Sequence, residues 1–302
     1  MSNINRLSQA LRADAGLVIL RDEPMSRHTT FKIGGPAELF IAAKTSESAE
    51  NAIRCTRELG IAPFIMGRGS NLLVEDAGIS GVVIALDGGK ITRNGNVLCA
   101  DAGASLAAVA RFARDECLTG LEFSYGIPGT VGGAVVMNAG AYGHEMREIV
   151  LRSTYLDTQQ NICALSADMH NFGYRTSFYK SGDNIILSAE FTLTHGDKSE
   201  IQKMMDEIQM RRRSKQPLEL PSAGSVFKRP EGHFAGGLIE QCGLKGMTIG
   251  GAQVSEKHAG FIVNIGGATC CDVLALIEYI KETVLREVGV ELECEVLLAP
   301  KK

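Results

Sequence analysis

Between Gly126 and Gly143 six glycines fall in eighteen residues, Gly126-Ile127-Pro128-Gly129-Thr130-Val131-Gly132-Gly133-Ala134 and then Asn138-Ala139-Gly140-Ala141-Tyr142-Gly143. That density is more than one turn needs. Either the backbone makes consecutive turns with glycine at positive φ, or it packs against a ligand that a Cβ would displace. Elsewhere glycines cluster at Gly34-Gly35, Gly67 to Gly69, Gly236-Gly237, Gly250-Gly251 and Gly266-Gly267 with no fixed period. This excludes a repeat array and reads as punctuation between short elements.

Composition sets the class. With 302 residues, 45% hydrophobic and 22% charged, the chain has enough apolar mass for two ordinary domains, and disorder or a coiled coil is excluded. The 31 Lys and Arg against 35 Asp and Glu leave a net charge of -4, and Arg211-Arg212-Arg213 with Lys215 is the one basic cluster, so no nucleic-acid partner is expected. The start MSNINRLSQALRADAG has no apolar core, and no apolar run approaches the roughly 20 residues of a membrane span. A cytoplasmic protein without a membrane partner, monomeric or weakly oligomeric, is expected. Eight scattered cysteines without Cys-x-x-Cys or nearby histidines suggest neither a metal site nor a redox centre, and are read as buried thiols.

The elements alternate. Ser46 to Leu59 reads as a helix with Ser46 as its N-cap and Gly60 as its C′ stop, followed by a strand at 63–66 and another at Val82 to Leu86. Ser105 caps a second helix through Cys117. Strands follow at Ile149 to Asp157 and Ile185 to Thr194, the latter alternating between faces. Asp197 to Arg213 is a charged helix ended by Pro217, and its polarity places a boundary near residue 196. Beyond it come a short helix near Leu238 to Cys242, a strand at Phe261 to Ile265 and a helix after Thr269, which with Asp272 forms an acidic capping box. The last segment, Val290 to Leu298, alternates as a strand with Glu291, Glu293 and Glu295 on one face.

Four segments have the residue types for chemistry. Gly67-Arg68-Gly69-Ser70-Asn71-Leu72 follows a strand, where backbone N–H groups converge on a phosphate or merely make a tight turn; it is neither a Walker A loop nor a Rossmann fingerprint. The glycine run from Gly126 is the second. Phe172-Gly173-Tyr174-Arg175-Thr176-Ser177 sets a guanidinium among aromatic and hydroxyl neighbours, suited to a carboxylate or enolate, or simply a surface arginine. Ser222-Ala223-Gly224-Ser225-Val226-Phe227 lacks a nucleophile elbow, so hydrolase chemistry is disfavoured.

Taken in order with Thr29-Thr30-Phe31-Lys32-Ile33-Gly34-Gly35-Pro36, Gly260 to Gly267 and Glu293-Cys294-Glu295-Val296, these segments resemble the UDP-N-acetylenolpyruvoylglucosamine reductase family over nearly the whole chain. The resemblance implies an α+β fold: a vanillyl-alcohol-oxidase-type (PCMH-like) FAD-binding domain of two subdomains, divided near 75–80, over residues 1–196. A C-terminal α+β substrate domain would occupy 197–302, with the strand at 290–298 packing back on the first. It implies non-covalent FAD held by Gly67, Arg68, Gly69, Ser70, Asn71 and Leu72, and by Gly126, Ile127, Pro128, Gly129, Gly132, Gly133 and Gly140, chiefly through backbone donors to its diphosphate.

The implied reaction is reduction of the enolpyruvyl ether of UDP-N-acetylglucosamine, with NADPH as hydride donor. Arg175 would hold the enolate oxygens, Glu295 would assist, and Ser225 would donate the proton. Glu295 must then be protonated or offset by a cation, since a bare carboxylate would repel the substrate's own. Arg213 and Arg229 would meet the uridine diphosphate and nearby groups, although Arg213 also suits a helix-end cation. The chain resembles the shorter form of the family, with no room after Tyr179-Lys180 for an inserted tyrosine loop, and Thr176 departs from the expected Asp or Asn. The alternative is an oxidase on the same scaffold with covalent flavin, for which His28 is a conceivable anchor.

Overall fold

The computed structural model describes residues 2–299 and divides into two compact units that alternate along the chain: residues 1–21, 39–68 and 81–211, and residues 22–38, 69–80 and 212–302. The first unit is built on two sheets. One has the strand order Leu17–Pro24, Pro36–Ala43, Ile79–Leu86, Phe64–Met66; the other is Ile162–Ser166, Val150–Leu156, Ile185–Thr192, Val97–Asp101, Ile91–Asn94, antiparallel throughout. Three helices, Asn3–Ala10, Ser46–Glu58 and Leu106–Asp115, bury Leu7, Ile53 and Val109 in the core these sheets share, beside Ile84, Leu98 and Phe191. Ser105 caps the third helix by accepting from the Ala108 N–H, as its sequence predicts. The second begins one residue earlier than read: its cap is Thr45, which accepts from Ser48 N–H, and Ser46 is already helical. Alternation in Ile185–Thr192 is interrupted because this strand carries an extra residue, Leu187, opposite the Thr154–Tyr155 step of its neighbour, and Ile186, expected on the polar side, is buried.

The second unit pairs Ser222–Ser225, Phe261–Asn264, Ala252–Val254 and Thr248–Ile249 in one antiparallel sheet, and Leu72–Val74 with Leu297–Ala299 in parallel. Its helix Cys270–Val288 packs Val273, Leu276, Ile277 and Ile280 on Phe31, Ile33, Leu73 and Val226. The expected capping box of Thr269 and Asp272 is present, and Gly289 closes the other end at a φ of 74°. A second carboxylate joins: Asp76 accepts from the Cys270 and Cys271 N–H groups, placing negative charge at the helix start.

Two expectations need correction. The run Val290 to Leu298 is not one strand. Only Leu297–Ala299 is a strand, preceded by a single bridge from Cys294 to Phe227, because the chain between is bonded to 226–228 rather than to a continuous partner. The cysteines are free thiols, but only Cys270 is buried; Cys117 and Cys271 are exposed and the other five lie between. No helix among the described residues is long and apolar enough to cross a membrane.

Candidate active site

The two glycine-rich segments handle their backbone differently. In the first, Gly67 approaches Thr130 so closely that an added Cβ would lie 2.4 Å from its Oγ1. Among the described residues none of the N–H groups of Arg68, Gly69, Ser70 and Asn71 donates to a protein acceptor, while the carbonyls of Gly69 and Asn71 accept from Thr30 and Leu297. Four successive open donors on a partly exposed loop fit an anion such as a diphosphate.

The second segment uses its donors internally. Gly129 N–H bonds to Ile127 O, Val131 to Ala104 O at 2.9 Å and Gly132 to Ala102 O at 2.9 Å. Thr130 then caps a one-and-a-half-turn helix, Val131–Val136, by accepting from Gly133 N–H. Gly132 is there for close approach, since a Cβ would meet that of Ala102 at 3.0 Å. A Cβ on Gly140 would likewise lie 2.6 Å from the His144 carbonyl oxygen, across a two-residue hairpin turn at Tyr142 and Gly143, both at positive φ. The expectation that this run supplies backbone donors is therefore corrected for Ile127, Gly129, Gly132 and Gly133, whose N–H groups are bonded within the protein. Pro128 and Gly133 are exposed and Gly126, Ile127, Gly129 and Gly140 half-buried, while Gly132 is buried.

Arg175 sits at the tip of a tight turn. Gly173 and Thr176 exchange both backbone hydrogen bonds, and Arg175 takes a φ of 55°, a conformation that disfavours a non-glycine residue by about 1–2 kcal/mol. The turn is anchored from below. Buried Asn138, at the end of the Val131–Val136 helix, donates to Gly173 O at 3.1 Å and accepts from Arg147 N–H at 2.9 Å. Ser177 donates to Val136 O and Lys180 Nζ to Arg175 O. The guanidinium lies 5.1 Å from the Tyr174 ring centre.

Ser225 and Glu295 are linked through the Val226 backbone in the second unit. Val226 N–H bonds to Gly260 O, and Val226 O accepts from Glu295 N–H at 2.7 Å and, more weakly, from Val296 N–H. Next along, Lys228 N–H donates to Glu293 O, and the Lys228 ammonium pairs with the Glu293 carboxylate. Ser225 itself is exposed, at a bulge that interrupts the register of its strand. Sequence reasoning placed Asn71 only against a cofactor; its side chain donates to Glu295 O at 3.1 Å, tying the first glycine loop to the glutamate backbone. Beside Glu295, burial pushes the Cys294 thiol up.

The remaining residues are peripheral. Arg213 is exposed in the last turn of the helix Lys198–Lys215, where it also complements the helix dipole. Arg229 is exposed, its guanidinium 4.0 Å from the Phe234 ring centre. His28, the conceivable flavin anchor, is paired with Glu23 at 3.0 Å.

Comparison with known proteins accounts for both halves. Residues 37–166 match an FAD binding domain, and residues 216–299 match the C-terminal domain of UDP-N-acetylenolpyruvoylglucosamine reductase. The reductase of Caldanaerobacter subterraneus subsp. tengcongensis is 50% identical over 282 residues, 93% of each chain, and that of Exiguobacterium sibiricum 47% identical over 92% of each. A solved reductase from Thermus caldophilus superposes with a TM-score of 0.79 at 32% identity, covering 94% of this chain and 99% of that one. The α+β, FAD-binding class expected from the sequence stands on these matches. The chain belongs to the UDP-N-acetylenolpyruvoylglucosamine reductase family, FAD-dependent oxidoreductases of peptidoglycan precursor synthesis.

Proposed function

We propose that the chain reduces UDP-N-acetylglucosamine enolpyruvate to UDP-N-acetylmuramate in the cytoplasm, with NADPH as the hydride source. The observation that carries this reading is the juxtaposition of exposed Ser225 with Glu295 across Val226, in a chain of this family. In this reading residues 1–196 are the FAD-binding part and 197–302 the substrate-binding part, which the matched stretches 37–166 and 216–299 support, while residues 22–38 and 69–80 group with the second compact unit and 198–211 with the first. The open N–H groups of Arg68 to Asn71 hold the FAD diphosphate, and Gly126 to Pro128 with Gly133 line its path. FAD bound there would supply the hydride relay, from NADPH to the methylene carbon of the enolpyruvyl ether.

The protein's own groups handle the charge that follows. Electron density moves onto the substrate carboxylate, and Arg175, held on its strained turn, pairs with those oxygens without having to reorganise. Glu295 in its protonated form donates to the same group. Ser225 gives its hydroxyl proton to the neighbouring carbon, a transfer that a weak acid makes only to a strongly basic carbanion. Arg213 and Arg229 hold the uridine diphosphate end.

An anaerobic spectrum tests this. NADPH bleaches the flavin and the enolpyruvyl sugar nucleotide restores it; in Ser225→Ala bleaching persists while reoxidation slows by about 10²–10⁴-fold. Wild-type flavin that bleaches but is not reoxidised by that substrate overturns the assigned reaction.

A further inference from the structure

Beneath the Arg175 turn lies a polar group of side chains that the reaction does not use. Ser153 Oγ is 2.7 Å from His170 Nε2 and 2.6 Å from the Tyr179 hydroxyl, and His170 Nδ1 is 2.8 Å from Ser166 O. All three side chains are at most 4% exposed. A carbonyl only accepts, so Nδ1 carries the imidazole proton and Nε2 accepts from Ser153, which in turn accepts from Tyr179. Each polar atom is matched, and burial keeps the imidazole neutral by pushing it below its ordinary range.

Apolar side chains would fill this volume with no such demands. A fully matched buried network admits essentially one arrangement of the segments that carry it. Here those segments flank the turn on both sides. His170 stacks on Phe172 with ring centres 4.8 Å apart and planes 7° from parallel, and Phe172 precedes Gly173. Tyr179 follows Ser177, whose hydroxyl caps the Tyr179 N–H. Between them stands Arg175 at its unfavourable φ.

We propose that Ser153, His170 and Tyr179 are positioning residues for Arg175, fixing the left-handed turn from which its guanidinium meets the substrate carboxylate. The proposal rests on the reading of Arg175 given above. The network clamps the entry and exit of the turn, and the strain at Arg175 persists because both ends are fixed.

The half-reactions of the FAD-loaded enzyme separate positioning from general stability. His170→Phe keeps the stacking but loses both hydrogen bonds; flavin reduction by NADPH should stay within about 2-fold while reoxidation by the enolpyruvyl sugar nucleotide slows by about 30–100-fold, the scale of a misplacement near 1 Å. Tyr179→Phe should give a smaller loss of the same kind, and His170→Gln, which still offers Ser153 an acceptor, should recover most of the rate. In the same variants, hydrogen exchange at the Gly173 and Thr176 N–H groups should accelerate while that at Val131 and Gly132 does not. Equal loss in both half-reactions, or wild-type reoxidation despite faster exchange, overturns the proposal. Should His170→Phe fail to fold, Tyr179→Phe decides by the same criteria. A wild-type enzyme that the substrate does not reoxidise sinks the assigned reaction instead, and unchanged exchange at Gly173 and Thr176 then sinks the clamp separately.

Discussion

Arg175 and the Ser225–Glu295 pair are held by opposite means. The arginine turn rests on side chains, with Asn138, Ser177 and the Ser153–His170–Tyr179 network each fixing one point of a strained backbone. Ser225 and Glu295 rest on backbone, through Val226 and its neighbours in an extended ladder. A side-chain mount is tunable and chemically sensitive, because each anchor is replaceable and one of them titrates. A backbone ladder is indifferent to most substitutions and fails only when a main-chain donor is removed.

The ladder should therefore break most severely under the one change that reaches its backbone. Val226→Pro deletes the donor to Gly260 O and is expected to destabilise the protein by about 3 kcal/mol or more, lowering its melting temperature by roughly 6–12 °C. A melting temperature within 2 °C of wild type, as an order-of-magnitude threshold, would show that the ladder is not what holds Val226. In the turn, Asn138→Ala removes two hydrogen bonds, the one its side chain donates to Gly173 O and the one it accepts from Arg147 N–H, for an expected loss of about 1–3 kcal/mol by denaturant titration.

Acidity should distinguish the two mounts directly. Burial lowers the pKa of His170 against the opposing pull of the Ser166 and Ala167 carbonyls and the Asp168 carboxylate, with Tyr179 the other titratable group of the network. Below about pH 6.5 the unfolded chain takes up a proton that the folded imidazole resists, so stability falls as pH drops through that point and levels off under the folded pKa. His170→Phe should flatten this dependence in melting curves between about pH 7.5 and 5. Tyr179 gives the mirror image: burial pushes its hydroxyl up to about 12, so stability is lost as pH rises past about 10. The smallest effect belongs to the surface of the ladder. Glu293→Gln removes the partner of Lys228, an exposed pair, and should change stability by less than about 1 kcal/mol, with reoxidation kinetics unaltered.

Much of this was legible locally. The caps at Ser105 and Thr269, the box with Asp272 and the helix from Lys198 follow from short-range chemistry, and each appears where its residues place it. The helix Val131–Val136 was missed because two glycines depress its propensity, although Thr130 three residues before Gly133 is a cap signal. Glycine density marked both glycine-rich segments but did not distinguish donors open to a ligand from donors turned inward, since that depends on what lies opposite: Ala102 and Ala104 for one, no acceptor among the described residues for the other. The link between Ser225 and Glu295 spans 70 residues through main-chain bonds that carry no side-chain signature. The family resemblance pointed to these residues as a set; their mountings came only from the fold.

The alternation of the two compact units along the chain has a consequence for synthesis. Residues 22–38 and 69–80 contribute Phe31, Ile33 and Leu73 to a core whose other members come after Arg212, and Leu72–Val74 waits for Leu297–Ala299 as its strand partner. At about 5–20 residues per second, a ribosome emits the second partner roughly 10–40 s after the first. During that interval the early segments have apolar side chains and an unpaired strand edge with nowhere to go. The second unit thus closes only after residues 297–299 have been made.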